Sequence, residues 1–316
     1  MEIIISNNAN KPIYEQIRER NGLGMENILE LQQVSKAFPK SGFWLKDVTF
    51  SLPYGAVMGF VGENGAGKTT TIGCILNTIK KDGGTVKLFG REMLDRDTDM
   101  REKIGVVYDG DNFPSHWNAK QLSQVMAGLY QGWDHGLFQK YLTEFQLPAG
   151  QKIRHYSRGM TMKLALAAAL AHHPKLLILD EATSGLDPVM RDEMLDVFLD
   201  FVQKEDHSIL LSSHITSDLE KVADYITFIH EGKLVMTVTR NDLVYRYAVL
   251  RCKESQFKAL DPEDILAYRK RDFQIDVLVS DGKEAQRKYG EIVADHVSVD
   301  EVMLLLVKGE RYERAS

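Results

Sequence analysis

Residues 62–69 read G-E-N-G-A-G-K-T, a spacing that fits G-x-x-x-x-G-K-[ST]. Residues of these types in this order suit one task, holding a chain of phosphates. Glycines let successive backbone N–H groups converge on the β- and γ-phosphates, and the N-terminus of the helix that follows adds its dipole. Asn64, Gly65, Ala66 and Gly67 would form the cradle, Lys68 would bring a mobile positive charge, and Thr70 would extend the contact. Thr69 offers a hydroxyl to Mg²⁺, a hard cation that keeps several waters beside few protein oxygens. A second constellation, Asp180-Glu181, ends the apolar run 177–179. Asp180 is placed to hold Mg²⁺, directly or through water, and Glu181 to orient and polarise an attacking water as general base.

These groups can act together only if secondary structure delivers them to one edge. Val48, Phe50 and Leu52 alternate as on a half-buried strand, and Ala56 to Val61 is a continuous apolar strand that runs into the Gly-rich turn. A helix is expected from about Lys68 to Ile79. Residues 119–147 read as two helices, with Asn118 as N-cap and Gln121 as its capping-box partner. Leu176 to Leu179 forms a second buried strand and Ile209 to Leu211 a third. Helical stretches separate the strands, so the expected fold is α/β with parallel pairing and crossover helices. Ligands then bind at the carboxyl ends of the strands, where Gly62 and Asp180 both lie.

The bulk numbers narrow the function classes. The chain has 316 residues, 44% hydrophobic and 27% charged, with a net charge of −6. A basic excess is missing, which argues against a sequence-independent nucleic-acid binder, and no nucleic-acid partner is expected. Cys74 and Cys252 are the only cysteines, far apart and without metal-ligand spacing, as expected of two reduced thiols. The longest apolar run, Leu164 to Ala171, is far short of the roughly 20 residues of a membrane-spanning helix. Ile3, Ile4 and Ile5 are followed at once by polar residues, so no secretory signal is expected. Work at a membrane would therefore go through a partner. Pattern divides the chain into a polar lead (1–24), a main α/β region (25–240) and a mixed-charge end (241–316).

Three further segments carry a resemblance. Tyr156-Ser157-Arg158-Gly159-Met160 precedes a long helix, Ser184-Gly185-Leu186-Asp187 follows the acidic pair, and Ser212-Ser213-His214 ends the next strand. With the phosphate loop, their order and spacing resemble the nucleotide-binding domain of ABC ATPases over roughly residues 27–240, in particular those of ABC-2-type exporter systems. The resemblance implies a P-loop NTPase fold with an antiparallel β subdomain, a helical subdomain at about 110–156 and a small C-terminal α+β extension. It implies ATP as substrate with Mg²⁺, and assigns Ser157 and Gly159 to a signature motif that closes over the γ-phosphate held by the opposite subunit. Asp187 matches an aspartate that communicates across the dimer, and His214 a switch histidine that joins Glu181 and Lys68 in catalysis. Phe38 stands 24 residues before Gly62, where the family stacks an aromatic on adenine; Phe43 or Trp44 could take that place.

Two positions depart from the family pattern. The signature reads S-R-G-M where S-G-G-Q is commoner, although an arginine there resembles subfamilies paired with ABC-2-type permeases, and Asp109 stands where a glutamine usually ends the segment 104–109. Aspartate can still ligate Mg²⁺, with a shorter, charged side chain. The implied partners are an integral membrane permease, of ABC-2 type, and a second ABC ATPase chain, the same or homologous. The implied location is cytoplasmic, peripheral on the inner face of the cell membrane. Phe113, Trp117, Tyr130 and Trp133 are available to line a groove for the permease or to pack the helical subdomain's own core. A soluble ABC ATPase acting on the ribosome is the competing expectation, although that group usually carries two such domains per chain. Residues 1–20 resemble the start of GntR-type regulators, with Met25 as an ancestral start. Val299 to Val307 is expected to be a helix with Leu304, Leu305 and Leu306 on or near its buried side.

Overall fold

The computed structural model describes residues 26–110 and 112–310, so the reading of the N-terminal lead and of Met25 lies outside the described residues. The chain opens with two long antiparallel strands, β1 (Asn27–Phe38) and β2 (Phe43–Pro53). Their alternating residues turn Leu31, Val34, Val48 and Phe50 inward, while Gln32, Gln33 and Asp47 face outward. β3 (Val57–Val61) is buried along its whole length and ends at the phosphate loop, from which a helix, Lys68–Ile75, departs. β4 (Gly83–Leu88) and β5 (Arg91–Glu92) extend the antiparallel layer, and β6 (Ile104–Val107) opens the parallel one.

The helix after the phosphate loop is shorter than expected. Asn77 adopts a left-handed conformation (φ 55°), and the N–H groups of Asn77 and Thr78 bond back to the carbonyls of Cys74 and Gly73. That is a Schellman closure, which asparagine tolerates better than most side chains.

Helices Ala119–Leu129 and His135–Glu144 follow, the first opened by the expected reciprocal capping box between Asn118 and Gln121. Helix Arg158–Leu170 then packs on β6 and leads to β7 (Leu176–Asp180). Helix Pro188–Phe201, β8 (Ser208–Ser213), helix Thr216–Val222, β9 (Tyr225–His230) and β10 (Lys233–Thr239) complete the layer. The ten strands form one sheet in the order β5-β4-β1-β2-β10-β9-β3-β8-β7-β6. Within it β9, β3, β8, β7 and β6 run parallel, and the register sets Val61 beside Ser213, Asp180 beside Ser212, and Val107 beside Leu179. Five strand ends thus present their following loops on a single edge.

A second, antiparallel sheet has the order β12-β13-β11-β14, from β11 (Ala248–Cys252), β12 (Ala267–Lys270), β13 (Ile275–Val279) and β14 (Val293–His296). One face packs its own core around Leu250, Phe257 and Val277. Val249 and Leu278, on alternate positions, join the main core together with Val299, Val302 and Leu305 of helix Val299–Lys308. Of the three leucines expected near that helix's buried side, Leu305 is buried and Leu304 and Leu306 are half-buried.

The four aromatics of the helical region take the packing alternative. Phe113, Trp117 and Tyr130 lie partly buried against the main core, and Trp133 is buried with its indole N–H donating to Ser123 Oγ at 3.1 Å. Tyr130 stacks on His172 with ring centroids 4.1 Å apart. Among the described residues of this region the large exposed apolar side chains are instead Val125 and Leu129.

Candidate functional site

The phosphate loop is shaped by two close approaches. A side chain at Gly62 would come within 2.5 Å of the Ile229 carbonyl, and Gly67 (φ 115°) lies against the Phe43 ring and Leu45. Only glycine meets both demands, which is why a loop of backbone amides fits here. Lys68, 6% exposed, donates to the carbonyls of Gly62 (2.7 Å) and Glu63 (3.4 Å) and pairs with Glu181 at 3.1 Å. Thr69 Oγ1 donates to Asp180 Oδ2 at 2.8 Å.

The carboxyl ends of β7 and β8 meet this loop. Ser212 Oγ donates to Asp180 Oδ1 at 2.5 Å and also accepts from the Glu181 N–H at 3.2 Å. Ser212 is a site residue that motif reading passed over as mere spacing before His214. Its signal is positional, since the parallel register sets it directly beside Asp180. Glu181 has a left-handed backbone (φ 54°), a conformation that costs a non-glycine residue roughly 1–2 kcal/mol. The turn aims its carboxylate between two side chains: Oε1 faces the Lys68 ammonium and Oε2 lies 2.6 Å from His214 Nδ1. Strain of this kind persists where the surroundings hold it, commonly at functional sites.

An open cleft of about 780 Å³ lies here, with Phe38, Ser41, Phe43, Glu63, Asn64, Gly65, Gly67, Lys68, Thr69, Thr70, Asp109, Asp180 and Glu181 on its walls, while Ser212 and His214 stand behind Asp180 and Glu181 and touch it only through them. The size suits a nucleotide, within the usual 300–1,000 Å³ of ligand pockets. Phe38 and Phe43 stand together at its mouth, ring centroids 6.3 Å apart, so two of the three candidate aromatics reach the cleft. Trp44 is half exposed, with the Lys46 ammonium 4.6 Å from its ring, and does not line the cleft. Ala66 is buried behind the loop, its carbonyl accepting from Gly232 N–H, so it supports the cradle from outside the cleft wall.

Three expected site residues lie elsewhere. Ser157 caps helix Arg158–Leu170 by accepting from Met160 N–H at 3.2 Å and is exposed. Gly159 is buried against helix Pro188–Phe201, where a Cβ would come within 2.4 Å of Met190 Sδ. Asp187 caps that second helix, accepting from the N–H groups of Val189 and Met190 at 3.1 and 3.0 Å. None of the three lines the cleft of its own chain. Asp109 does line it, but its carboxylate pairs with Arg158 at 2.7 Å. Among the described residues no three His, Cys, Asp or Glu side chains converge as a metal site. Any metal ion would therefore depend on the Thr69 hydroxyl, Asp180, water and phosphate oxygens, a donor set that suits Mg²⁺.

Comparison with known proteins gives concordant results. The family profile described as "ABC transporter" matches residues 45–184. The ABC transporter ATP-binding protein YtrB of Bacillus subtilis is 30% identical over 220 residues, covering 70% of this chain and 75% of that protein. The bacitracin transport ATP-binding protein BcrA of Enterococcus faecalis is 32% identical, covering 69% and 71%. The lantibiotic transport ATP-binding protein SrtF of Streptococcus pyogenes is 33% identical, covering 66% and 90%. Among solved structures, an ATP-binding subunit of an ABC transporter superposes with a TM-score of 0.62 at 26% identity, covering 68% of this chain and 91% of that one. A dimeric ATP-binding cassette in a post-hydrolysis state, bound to ADP and Pi, superposes with a TM-score of 0.61 at 21% identity and shows the shared fold.

Proposed function

The chain belongs to the ATP-binding subunits of ABC transporters and is an ATPase, and from that premise we propose that it powers export through a separate membrane permease by ATP-driven closure of a two-chain dimer. The observation that carries this reading is the convergence of Lys68, Thr69, Asp180, Glu181 and His214 where the parallel strands end. The export direction is supported by similarity to proteins whose names give bacitracin and lantibiotic transport.

In this reading the loop amides and Lys68 bind the β- and γ-phosphates, and Phe38 with Phe43 clasps the base at the cleft mouth. Thr69 and Asp180 would hold Mg²⁺, which supplies neutralisation of phosphate charge. Ser212 fixes the carboxylate rotamer of Asp180, so that its free lone pairs face the cleft. Glu181 takes the proton of the attacking water, and His214, hydrogen-bonded to the same carboxylate, orients it. Glu181 is tied to Lys68, so binding of a phosphate chain offers that ammonium a new anion and frees the carboxylate for water.

Ser157, exposed at its helix N-terminus, does not line the chain's own cleft, as expected of a group that completes a site in a second subunit. Closure follows if ATP binds the closed dimer better than the open one. Residues 110–156, with Val125 and Leu129 exposed, form the proposed coupling surface for the permease, and residues 241–316 an accessory unit. No helix among the described residues is long and apolar enough to cross a membrane. Similarity to transporter ATP-binding subunits supports a cytoplasmic position, peripheral on the inner face of the membrane, as part of this proposal. The test is co-purification of Glu181→Gln with ATP from detergent-solubilised native cells. A stoichiometric integral membrane protein is the expected result; recovery with ribosomes, or as a dimer without a membrane partner, would refute the transporter assignment and leave the ATPase standing.

A further inference from the structure

The two departures from the family pattern touch each other. Arg158 Nη2 donates to Asp109 Oδ1 at 2.7 Å, across 49 residues of sequence. Neither is loosely placed. Asp109 sits in a turn closed by Asn112, whose amide oxygen accepts from Tyr108 N–H at 3.0 Å and whose amide nitrogen donates to the carbonyls of Tyr108 and Gly110. Arg158 is the first residue of the helix that Ser157 caps. Its guanidinium also lies flat over the turn at Gly185 (φ 69°), where a Cβ would come within 2.9–3.1 Å of Cζ, Nη1 and Nε. One arginine therefore joins the rim of the nucleotide cleft to the signature segment and to the loop leading to Asp187.

We propose that Asp109 and Arg158 act as a single positioning unit, in which Arg158 neutralises an acid on the cleft rim and thereby fixes the signature segment relative to bound nucleotide. The inference rests on the dimeric ATPase reading above. A neutral amide at the cleft rim would need no counter-ion, whereas a carboxylate there opposes an incoming triphosphate. An arginine at the start of the signature helix supplies the missing charge, and its planar fork holds a fixed geometry as a lysine would not. The two departures are in this sense one change. Asp109 then engages a protein cation, and a neutral Asp109 would leave Arg158 with little to do.

The test is a double-mutant cycle on the full chain, using Asp109→Asn, Arg158→Gln and the pair together. ATP turnover is read as kcat and KM, and nucleotide affinity separately with a fluorescent ATP analogue. Arg158→Gln, which leaves the acid unpaired, should lower kcat/KM and weaken analogue binding on the order of tenfold, inside the range shown by coupled neighbours. Adding Asp109→Asn to it should restore both to within about threefold of Asp109→Asn alone. Both side chains are about half exposed (52% and 46%), so no core packing is lost, and thermal unfolding of each variant is followed to confirm it. Losses that multiply in the double variant, or an Arg158→Gln protein within about twofold of wild type, would overturn the unit while leaving the ATPase reading intact. A wild-type chain without ATP turnover overturns that reading and this inference with it.

Discussion

Replacing Glu181 with glutamine separates chemistry from binding in a way the geometry makes quantitative. The amide keeps the size and the contact to His214 but cannot take a proton, so turnover should fall by about 10²–10⁴, the usual contribution of a positioned base. The same change takes the carboxylate charge from the Lys68 ammonium, 6% exposed, and leaves it neutral acceptors alone, among them the carbonyls of Gly62 and Glu63. Underpairing a hydrogen-bonded charge of this kind costs about 1–3 kcal/mol. At roughly 2–4 °C per kcal/mol for a protein approaching this size, the nucleotide-free variant should melt about 2–12 °C below wild type. Phosphate oxygens restore the lost negative charge, so ATP should raise the variant's Tm by more than it raises that of wild type. The backbone strain at φ 54° is common to both proteins and cancels. The assay pairs phosphate release with thermal unfolding, with and without Mg-ATP. Unchanged turnover would remove Glu181 as the base, and equal depression of Tm with and without ATP would refute the account of Lys68.

Three other outcomes are expected. Gly67→Ala forces a side chain onto Phe43 at φ 115° and should weaken binding of a fluorescent ATP analogue by about tenfold or more, since left-handed strain alone costs about 1–2 kcal/mol. Asn118→Ala removes the side-chain half of a capping box, leaving the Gln121 N–H without its acceptor, and should cost about 1 kcal/mol in urea unfolding, with ATP turnover by the isolated chain within about twofold of wild type. Asp206 is held at about 2 by hydrogen bonds from Lys175 and His207. Its folded value lies below the unfolded one of about 3.9, so its contribution is present above pH 4 and fades as pH falls toward 2. Asp206→Asn should therefore destabilise slightly at pH 6, by less than about 1 kcal/mol for so exposed a group, with the difference shrinking below about pH 4.

Sequence made some of this legible and hid the rest for physical reasons. The phosphate loop, the buried strands before Gly62 and Glu181, and the Asn118 capping box are local patterns, and the structure places them where reading along the chain puts them. The early end of the Lys68–Ile75 helix turns on Asn77 entering a left-handed conformation, which its neighbours decide and no periodicity shows. Trp133 and Tyr130 could serve a surface or a core equally well by type, and only the partners Ser123 and His172 settle which. Longer-range relations were out of reach. Lys68 with Glu181, Asp180 with Ser212, and Asp109 with Arg158 are made neighbours by strand order and helix packing. The two departures from the family pattern read separately as oddities and become a pair only in space.

The docking of the C-terminal helix has a consequence for what the chain can lose. Val299 N–H donates to the Glu220 carboxylate at 2.8 Å, and Val299, Val302 and Leu305 continue the apolar core that contains Leu219 and Val222. Those last two belong to the helix that begins two residues after His214. Cutting the chain after Tyr245 would not release a trimmed ATPase with a finished exterior. It would uncover a greasy flank on the element that follows His214, and such a fragment should aggregate or demand a substitute cover before it turned over any ATP.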